Sequence, residues 1–526
     1  MLVNYIYLSM FEGIVFVEKG KGWLVLLLLG MAFVSSCAIK RPPKGSAVQE
    51  AEYQYKSLEM AEAQAQESAR VQEKAQRKEY SKRQQDSIAT FKKLLWADSA
   101  RTDHPKWLDS LYKNHQYRPF LIDQLREKPA IIDEYLRKTG SHGLDTNYFY
   151  LNEINARLSE LEEKQSSSLK YPEKMKLELL MAAALLKYSE AIQYGVIRPD
   201  SLDKNYFIKT ASPDSSKIMR VFNAPDLLLF LDSIQPSSAA YRSLQKALQA
   251  GTGAINRNKE DAAQTIKLNL ERLRWKNKPN DTEKYVWVNI PDFSLDVMEK
   301  GVSTLQMKVC VGEGRTETEP EGTKETPQLN SMIYSVQVNP IWNIPASIAR
   351  KEISRYASND PYYLSNNDID VYKNGKRLAA PQNIDWATVD VSQYTFKQRP
   401  GEQNSLGKIK FIFNNNSSVY LHDTPTKSAF KKKVRAISHG CVRVEKPKEL
   451  ALVLFGAGKT YDQIKTAMDR SYPRAKYIGL PVKIPVYLTY ITAWVDVKGL
   501  LQIRNDIYGL DLRLYEAMKA GQMIAE

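Results

Sequence analysis

The sequence predicts an α+β protein of several domains: an all-α N-terminal domain, then a β-rich domain that carries a lid-like insertion. Three observations predict it. From Leu94 to about Trp275, apolar residues recur at three- and four-residue spacing, as in KPAIIDEYLRK and KLELLMAAALLKYSEAIQYG, the period of helices with a buried face. At KPNDTEKYVW the texture changes to short β-branched and aromatic runs with alternation, among them YVWVNIPDFSLDVME, KIKFIFNN and KIPVYLTYITAWVDV. Within that β-rich stretch, residues 345–404 lose the alternation and read as loops and short helices. A length of 526 residues also exceeds one ordinary domain.

The elements follow in order. Lys19 and Lys21 precede an apolar run from Trp23 to Val34 and then Ser35-Ser36-Cys37, a secretory n-region and h-region too short for a comfortable membrane span. Val34-Ser35-Ser36-Cys37 resembles a bacterial lipoprotein signal. That resemblance implies removal of residues 1–36 and lipidation of Cys37, a multi-chain anchor holding the protein on the periplasmic side of the cell envelope. Ala38 is compatible with sorting to the outer rather than the inner membrane. A plain cleaved signal or an uncleaved N-terminal helix is the competing reading. Residues 37–95 are a short flexible exit followed by a polar helical stalk, rich in Ala, Gln, Glu, Lys and Arg, with a reach of roughly 70 Å at the helical rise. Residues 96–283 are the helical domain, 284–495 the β-rich domain, and 496–526 a tail that ends in the amphipathic stretch LRLYEAMKAGQMI.

The net charge of +15 allows attraction to anionic polymers or membrane surfaces. It does not imply nucleic acid, because zinc-ligand spacing, an RNP-like aromatic motif and a repeated basic stripe are all missing from the sequence. Three cysteines, Cys37, Cys310 and Cys441, cannot close a disulfide framework. Cys310, in the apolar run MKVCV, reads as a buried strand residue.

Cys441 needs another explanation. It follows Ser438-His439-Gly440 in KVRAISHGCVRVEKP, with Lys433, Arg435, Arg443 and Lys446 close by, a setting suited to a thiolate. Upstream, Ile409, Phe411 and Phe413 alternate against Lys410 and Ile412, Asn414-Asn415-Asn416 turns the chain, and Val419-Tyr420-Leu421 returns it to His422-Asp423. A strand end carrying His422 and a following loop carrying Cys441 are close enough in sequence to meet. The histidine can take the thiol proton and form a thiolate–imidazolium pair. Gly440 permits close backbone approach, and the N–H groups of Gly440 and Cys441 are candidate oxyanion donors. A carbonyl near Asp423, or its side chain, is a candidate to orient the base. Ser141-His142-Gly143 repeats three letters of the motif but continues with Leu144, so Ser-His-Gly alone carries little information.

His422 followed by Ser438-His439-Gly440-Cys441-Val442-Arg443 resembles the signature of the YkuD-type L,D-transpeptidase catalytic domain. The likeness extends to Val288-Asn289-Ile290-Pro291 with Phe293, Thr326-Pro327, Asn339 to Pro345, Arg399-Pro400-Gly401, Asn404-Ser405-Leu406-Gly407 and Tyr420 to Pro425, a set similar to the large YcbB-like branch. GLDTNYF and NLERLRW look like the scaffold domain of that branch, so the resemblance covers roughly residues 95 to 515. That branch often has a peptidoglycan-binding module before the ERLRW segment; here QKALQAGTGAINRNKEDAAQTIKLNLERLRW leaves no room for one.

The resemblance implies a cysteine-dependent acyltransferase acting on peptidoglycan stem peptides. Cys441 would attack the amide before the terminal D-Ala of a tetrapeptide stem, and an amine of a neighbouring stem would resolve the thioester into a 3→3 crosslink. His422 would be the base, and His439 and Gly440 would shape the oxyanion site. Tyr420, Arg443, Trp342 and Ser438 are the candidate substrate-binding residues. Packing competes with this role for Tyr420 and Trp342, and a salt bridge competes for Arg443. Neither metal nor organic cofactor is implied. Two further readings remain: an L,D-carboxypeptidase or endopeptidase using the same site, and a non-catalytic wall-binding scaffold lipoprotein.

Overall fold

The structure, a computed structural model, describes residues 14–18, 23–27, 47–97, 104–122, 128–163, 171–251, 259–275, 283–315, 324–470 and 474–524. It divides into two units, Met1–Asp86 and Ser87–Glu526. In the first, strand Ile14–Glu18 pairs antiparallel with Trp23–Leu27, and most of the helix Ala47–Ala97 follows. The proposed lipid-bearing Cys37 lies outside the described residues. The long helix is exposed over its first four-fifths and laced by i,i+4 ion pairs such as Lys56–Glu52, Arg77–Glu73 and Arg83–Glu79. Pairs at this spacing support a helix whose faces are all polar.

In the second unit, the helical region is built around Tyr171–Tyr194. This helix is apolar on nearly all sides and correspondingly buried. Its one buried acid, Glu178, accepts from the Tyr112 hydroxyl and from the backbone N–H groups of Phe120, Leu121 and Ile122. A buried carboxylate is tolerated when it collects donors in this way. Glu271 does the same for Val196, Ile197, Trp275 and Arg274. The region is not purely helical: Tyr206–Phe207 adds a short parallel strand to the end of Gln328–Val338.

The β-rich region closes on itself. Strand Ile409–Phe413 pairs on one side with Gln328–Val338 and on the other with Leu421–His422. The path then runs through Val442–Val444, Val302–Gly312, Ser294–Glu299, Tyr285–Asn289 and Lys476–Thr489 back to Gln328–Val338. Among the described residues, closure leaves this sheet no long unpaired edge. The alternation in the sequence is its inner face: Ile409, Phe411 and Phe413 are buried with Val286, Val288, Leu295, Val297, Val442 and Val444.

Residues 342–398 form a separate small unit on this frame. Strand Trp342–Ile344 pairs with Tyr394–Gln398, which pairs with Ile369–Lys373. The unit has its own core of Ile344, Ile348, Ile353, Val371, Trp386 and Phe396. The stretch read from sequence as loop- and helix-like thus contains a sheet, whose short strands are interrupted too often to show a period. The boundary expected at residue 495 falls inside a hairpin, Ala493–Val495 with Leu501–Ile503, that packs Ala493 and Leu501 onto Tyr241, Leu244 and Ile266. The tail helix Leu510–Ala520 buries Leu514 and Met518 in the helical core.

Candidate active site

Register places the site. Leu421–His422 and Val442–Val444 run parallel, with Leu421 opposite Val442 and His422 opposite Arg443. Leu421 and Val442 point into the apolar core. Because side chains alternate along a strand, the residues on either side of each point the other way. Tyr420, His422, Cys441 and Arg443 therefore share one face, and all four line a cavity of about 460 Å³. Lys410 sits opposite His422 in the neighbouring strand, with its ammonium 5.1 Å from the centre of the Tyr420 ring.

His422 is buried, and its Nδ1 lies 2.5 Å from the carbonyl oxygen of Asp423. That carbonyl can only accept, so Nδ1 carries the proton and Nε2 is left as an acceptor. Burial, with Arg443 and Lys410 nearby, pushes the imidazole down to about 3, so it is neutral at physiological pH. Of the two orienting groups expected at Asp423, the carbonyl fills the role. The carboxylate instead accepts from the backbone N–H groups of Lys408 and Thr424 and from Lys427. Gly407 lies against it: a Cβ there would stand 2.5 Å from the Asp423 carboxyl carbon.

Cys441 departs from the sequence expectation of a resting thiolate. Burial raises its pKa above the usual thiol value, and hydrogen bonds from the Tyr420 backbone and hydroxyl, with Lys410 and Arg443, offset this only in part. Desolvation of a would-be anion outweighs the surrounding positive charge. Tyr420 is not a simple packing residue, since its hydroxyl is hydrogen-bonded to Cys441 and to Trp342. Trp342 in turn belongs to the insertion's sheet and lines the cavity.

The loop before Cys441 is held from below. The Ser438 hydroxyl, buried, donates to the carbonyl of Cys441 over 2.5 Å. Gly440 has φ +105°, a conformation that favours glycine. Its carbonyl accepts from Thr326 Oγ1 at 2.9 Å, and the same hydroxyl oxygen accepts from Gly312 N–H at 2.8 Å. His439 points away from this support, with Nε2 2.5 Å from Glu352 Oε1. Glu352 belongs to a π-helical turn, Ala349–Ile353, in the insertion. Such turns are rare and recur at functional sites. Arg443 Nε is buried and has no hydrogen-bond partner.

Sequence reasoning gave no role to Lys410, Thr326 or Glu352. Alternation alone sets Lys410 on the face opposite the core, but Glu352 lies within the inserted unit, 87 residues before His439. The decoy His142 is structural: it is buried, with Nδ1 2.8 Å from the Tyr241 hydroxyl, in the helical region. Cys310 is a buried strand residue beside Ala429 and Phe430. Among the described residues, no group of three or more His, Cys, Asp or Glu is placed to hold a metal ion.

Residues 283–454 match the L,D-transpeptidase catalytic domain family, YkuD, and residues 106–248 match the Scaffold domain family. A Haemophilus influenzae protein named "Putative L,D-transpeptidase" is 28% identical over 423 residues, 77% of this chain and 78% of that protein. Two solved structures align at low similarity. One is an L,D-transpeptidase from Mycobacterium smegmatis, 12% identical over 39% of this chain and 58% of that one, with a TM-score of 0.19. The other is the Ldtfm–avibactam carbamoyl enzyme, 9% identical over 59% of this chain and 98% of that one, also with a TM-score of 0.19.

Proposed function

From a chain that carries a YkuD-type L,D-transpeptidase catalytic domain behind a scaffold domain, we propose a peptidoglycan L,D-transpeptidase that works through a Cys441 thioester and forms 3→3 crosslinks. The observation that carries the proposal is the shared face of Tyr420, His422, Cys441 and Arg443 in one cavity. His422 Nε2 takes the thiol proton as sulfur attacks the stem amide, so no free thiolate is needed beforehand. The proton passes to the departing D-Ala amine as the C–N bond breaks. Arg443 Nε, buried and unpaired, is satisfied by an oxygen of the donor stem. A donor carboxylate near Arg443 and Lys410 also cancels part of the positive field that keeps His422 neutral, which makes proton transfer to it easier. The backbone N–H groups of Gly440 and Cys441 are the proposed oxyanion donors.

The insertion, which contributes Trp342, Ile348, Glu352 and Tyr356 to the cavity, acts as a lid over bound stems. A lipid at Cys37 and the polar helix after it would hold this unit at a membrane and within reach of the wall.

The test mixes the purified chain, and its Cys441→Ala variant, with disaccharide-tetrapeptides and reads products by mass spectrometry. Dimers that have lost one D-Ala, absent with the variant, are the expected result. Tripeptide monomers alone would reassign the protein as a carboxypeptidase. No D-Ala release at all would leave a wall-binding scaffold.

A further inference from the structure

Resolving a thioester with an amine raises a problem of proton count. The acceptor amine arrives as an ammonium at neutral pH. To become an amide, its nitrogen must lose two protons. When the C–N bond forms and the C–S bond breaks, the cysteine sulfur takes back one of them, through His422. The other must be removed before attack, because an ammonium has no lone pair. His422 lines the cavity with Cys441 but is itself buried and serves the second transfer, which leaves the first to a more exposed group.

We infer that Glu352, with His439, forms the acceptor subsite: the carboxylate binds the incoming stem's ammonium, and the pair removes its first proton. This rests on the transpeptidase reading above. Three observations carry it. Glu352 is the only carboxylate among the described residues that line the cavity, whose other charged lining residues are Lys324, Lys351 and Arg443. Cationic walls suit a donor stem with carboxylates and repel an ammonium; one acid among them marks where the ammonium sits. The acid lies 2.5 Å from His439 Nε2, two residues before the nucleophile, and both side chains are 32% exposed. They are therefore more open to an arriving substrate than His422, which is 4% exposed. The carboxylate comes from the insertion whereas the nucleophile comes from the barrel, so acceptor and donor reach the thioester from different elements.

The balance closes. The first proton goes to the Glu352–His439 pair and on to solvent. The free amine attacks the thioester carbon, the C–S bond breaks, and the second nitrogen proton reaches sulfur through His422, restoring the thiol. Water needs no ammonium site, so hydrolysis of the same thioester does not depend on Glu352.

The experiment uses the full chain and its Glu352→Gln and Glu352→Asp variants with disaccharide-tetrapeptide as donor and acceptor. Three quantities are read: the rate of D-Ala release, the dimer-to-tripeptide ratio, and the acceptor concentration giving half-maximal dimer. For Glu352→Gln, dimer formation falls by much more than first-turnover D-Ala release, and far-UV circular dichroism reports the fold. The half-maximal acceptor concentration rises roughly tenfold or more, the loss of one charge-assisted contact, and tripeptide becomes the main product. Glu352→Asp recovers part of the dimer yield. A Gln variant with the wild-type ratio and acceptor dependence overturns the inference, as does an equal loss of D-Ala release and dimer, which would make Glu352 a support for the loop. If the wild-type chain releases no D-Ala, the transpeptidase reading itself has failed.

Discussion

Cys441 lies between opposed influences, and their order decides its chemistry. Burial raises the thiol pKa; hydrogen bonds from Tyr420 and the charges of Lys410 and Arg443 lower it, and burial prevails. The neutral thiol is the resting form, and in the proposed mechanism proton transfer to His422 belongs to the attack itself. The consequence is measurable with iodoacetamide, which reacts only with the thiolate. A thiol held above its usual pKa gains about tenfold in thiolate per pH unit while it stays mostly protonated. The Cys441-dependent alkylation rate, obtained by subtracting the rate of Cys441→Ala, should rise by about a hundredfold between pH 6 and pH 8. A rate already level below pH 7 would mean a preformed thiolate–imidazolium pair.

At the scale of elements, the loop before Cys441 is shaped by a residue distant in sequence. Thr326 donates to the Gly440 carbonyl and accepts from Gly312 N–H, and its own N–H donates to the Tyr508 hydroxyl. Thr326→Val keeps the shape but removes the hydroxyl, leaving two buried backbone groups without partners. The cost is about 2–4 kcal/mol, measured by denaturant unfolding, with D-Ala release falling alongside. Thr326→Ser keeps the hydroxyl and should stay within about 1 kcal/mol of the wild type. A Val variant as stable as the Ser variant would show that the loop is held by something else. The same comparison explains what the sequence can reveal. Ile409, Phe411 and Phe413 announce their strand because burial repeats at the strand's own period. His422 and Cys441 can be paired in advance because a single stretch of chain, residues 423–440, joins the strand end that carries one to the loop that carries the other. Thr326 and Glu352 cannot, because their contacts join segments 114 and 87 residues apart, and nothing in the local pattern records such a contact. The insertion's sheet is hidden for a related reason: its strands are two to five residues long, too short to establish alternation.

Across the second unit, helical and β-rich regions are tied by the chain's last turn. Arg272 pairs with Asp511 over 2.5 Å, Asn269 bonds Thr492, and the segment from Tyr508 to Met518 contributes to both cores. Each region also buries one neutral histidine. Burial and Arg274 push His142 down to about 3, and His422 is likewise held at about 3. In the unfolded chain both return to about 6.5. Between these values the unfolded state binds more protons than the folded state, so stability rises with pH there. The contribution is fully present above pH 6.5 and is lost as pH falls toward 3. Acidifying from pH 7 to pH 5 should cost about 2 kcal/mol for each histidine. His142→Gln removes one of the two without touching the cleft. Its stability at pH 7 reflects lost contacts and is not the test; the test is the difference between pH 7 and pH 5, which should shrink by about half of the histidine-dependent total in urea unfolding. Because the two regions share the C-terminal segment, the change should appear in the unfolding of both, followed by Trp275 fluorescence in one and Trp287 fluorescence in the other. An unchanged pH 7 to pH 5 difference in His142→Gln would mean that His142 is protonated in the folded chain, and that the neutral hydrogen-bonded state assigned to it is wrong.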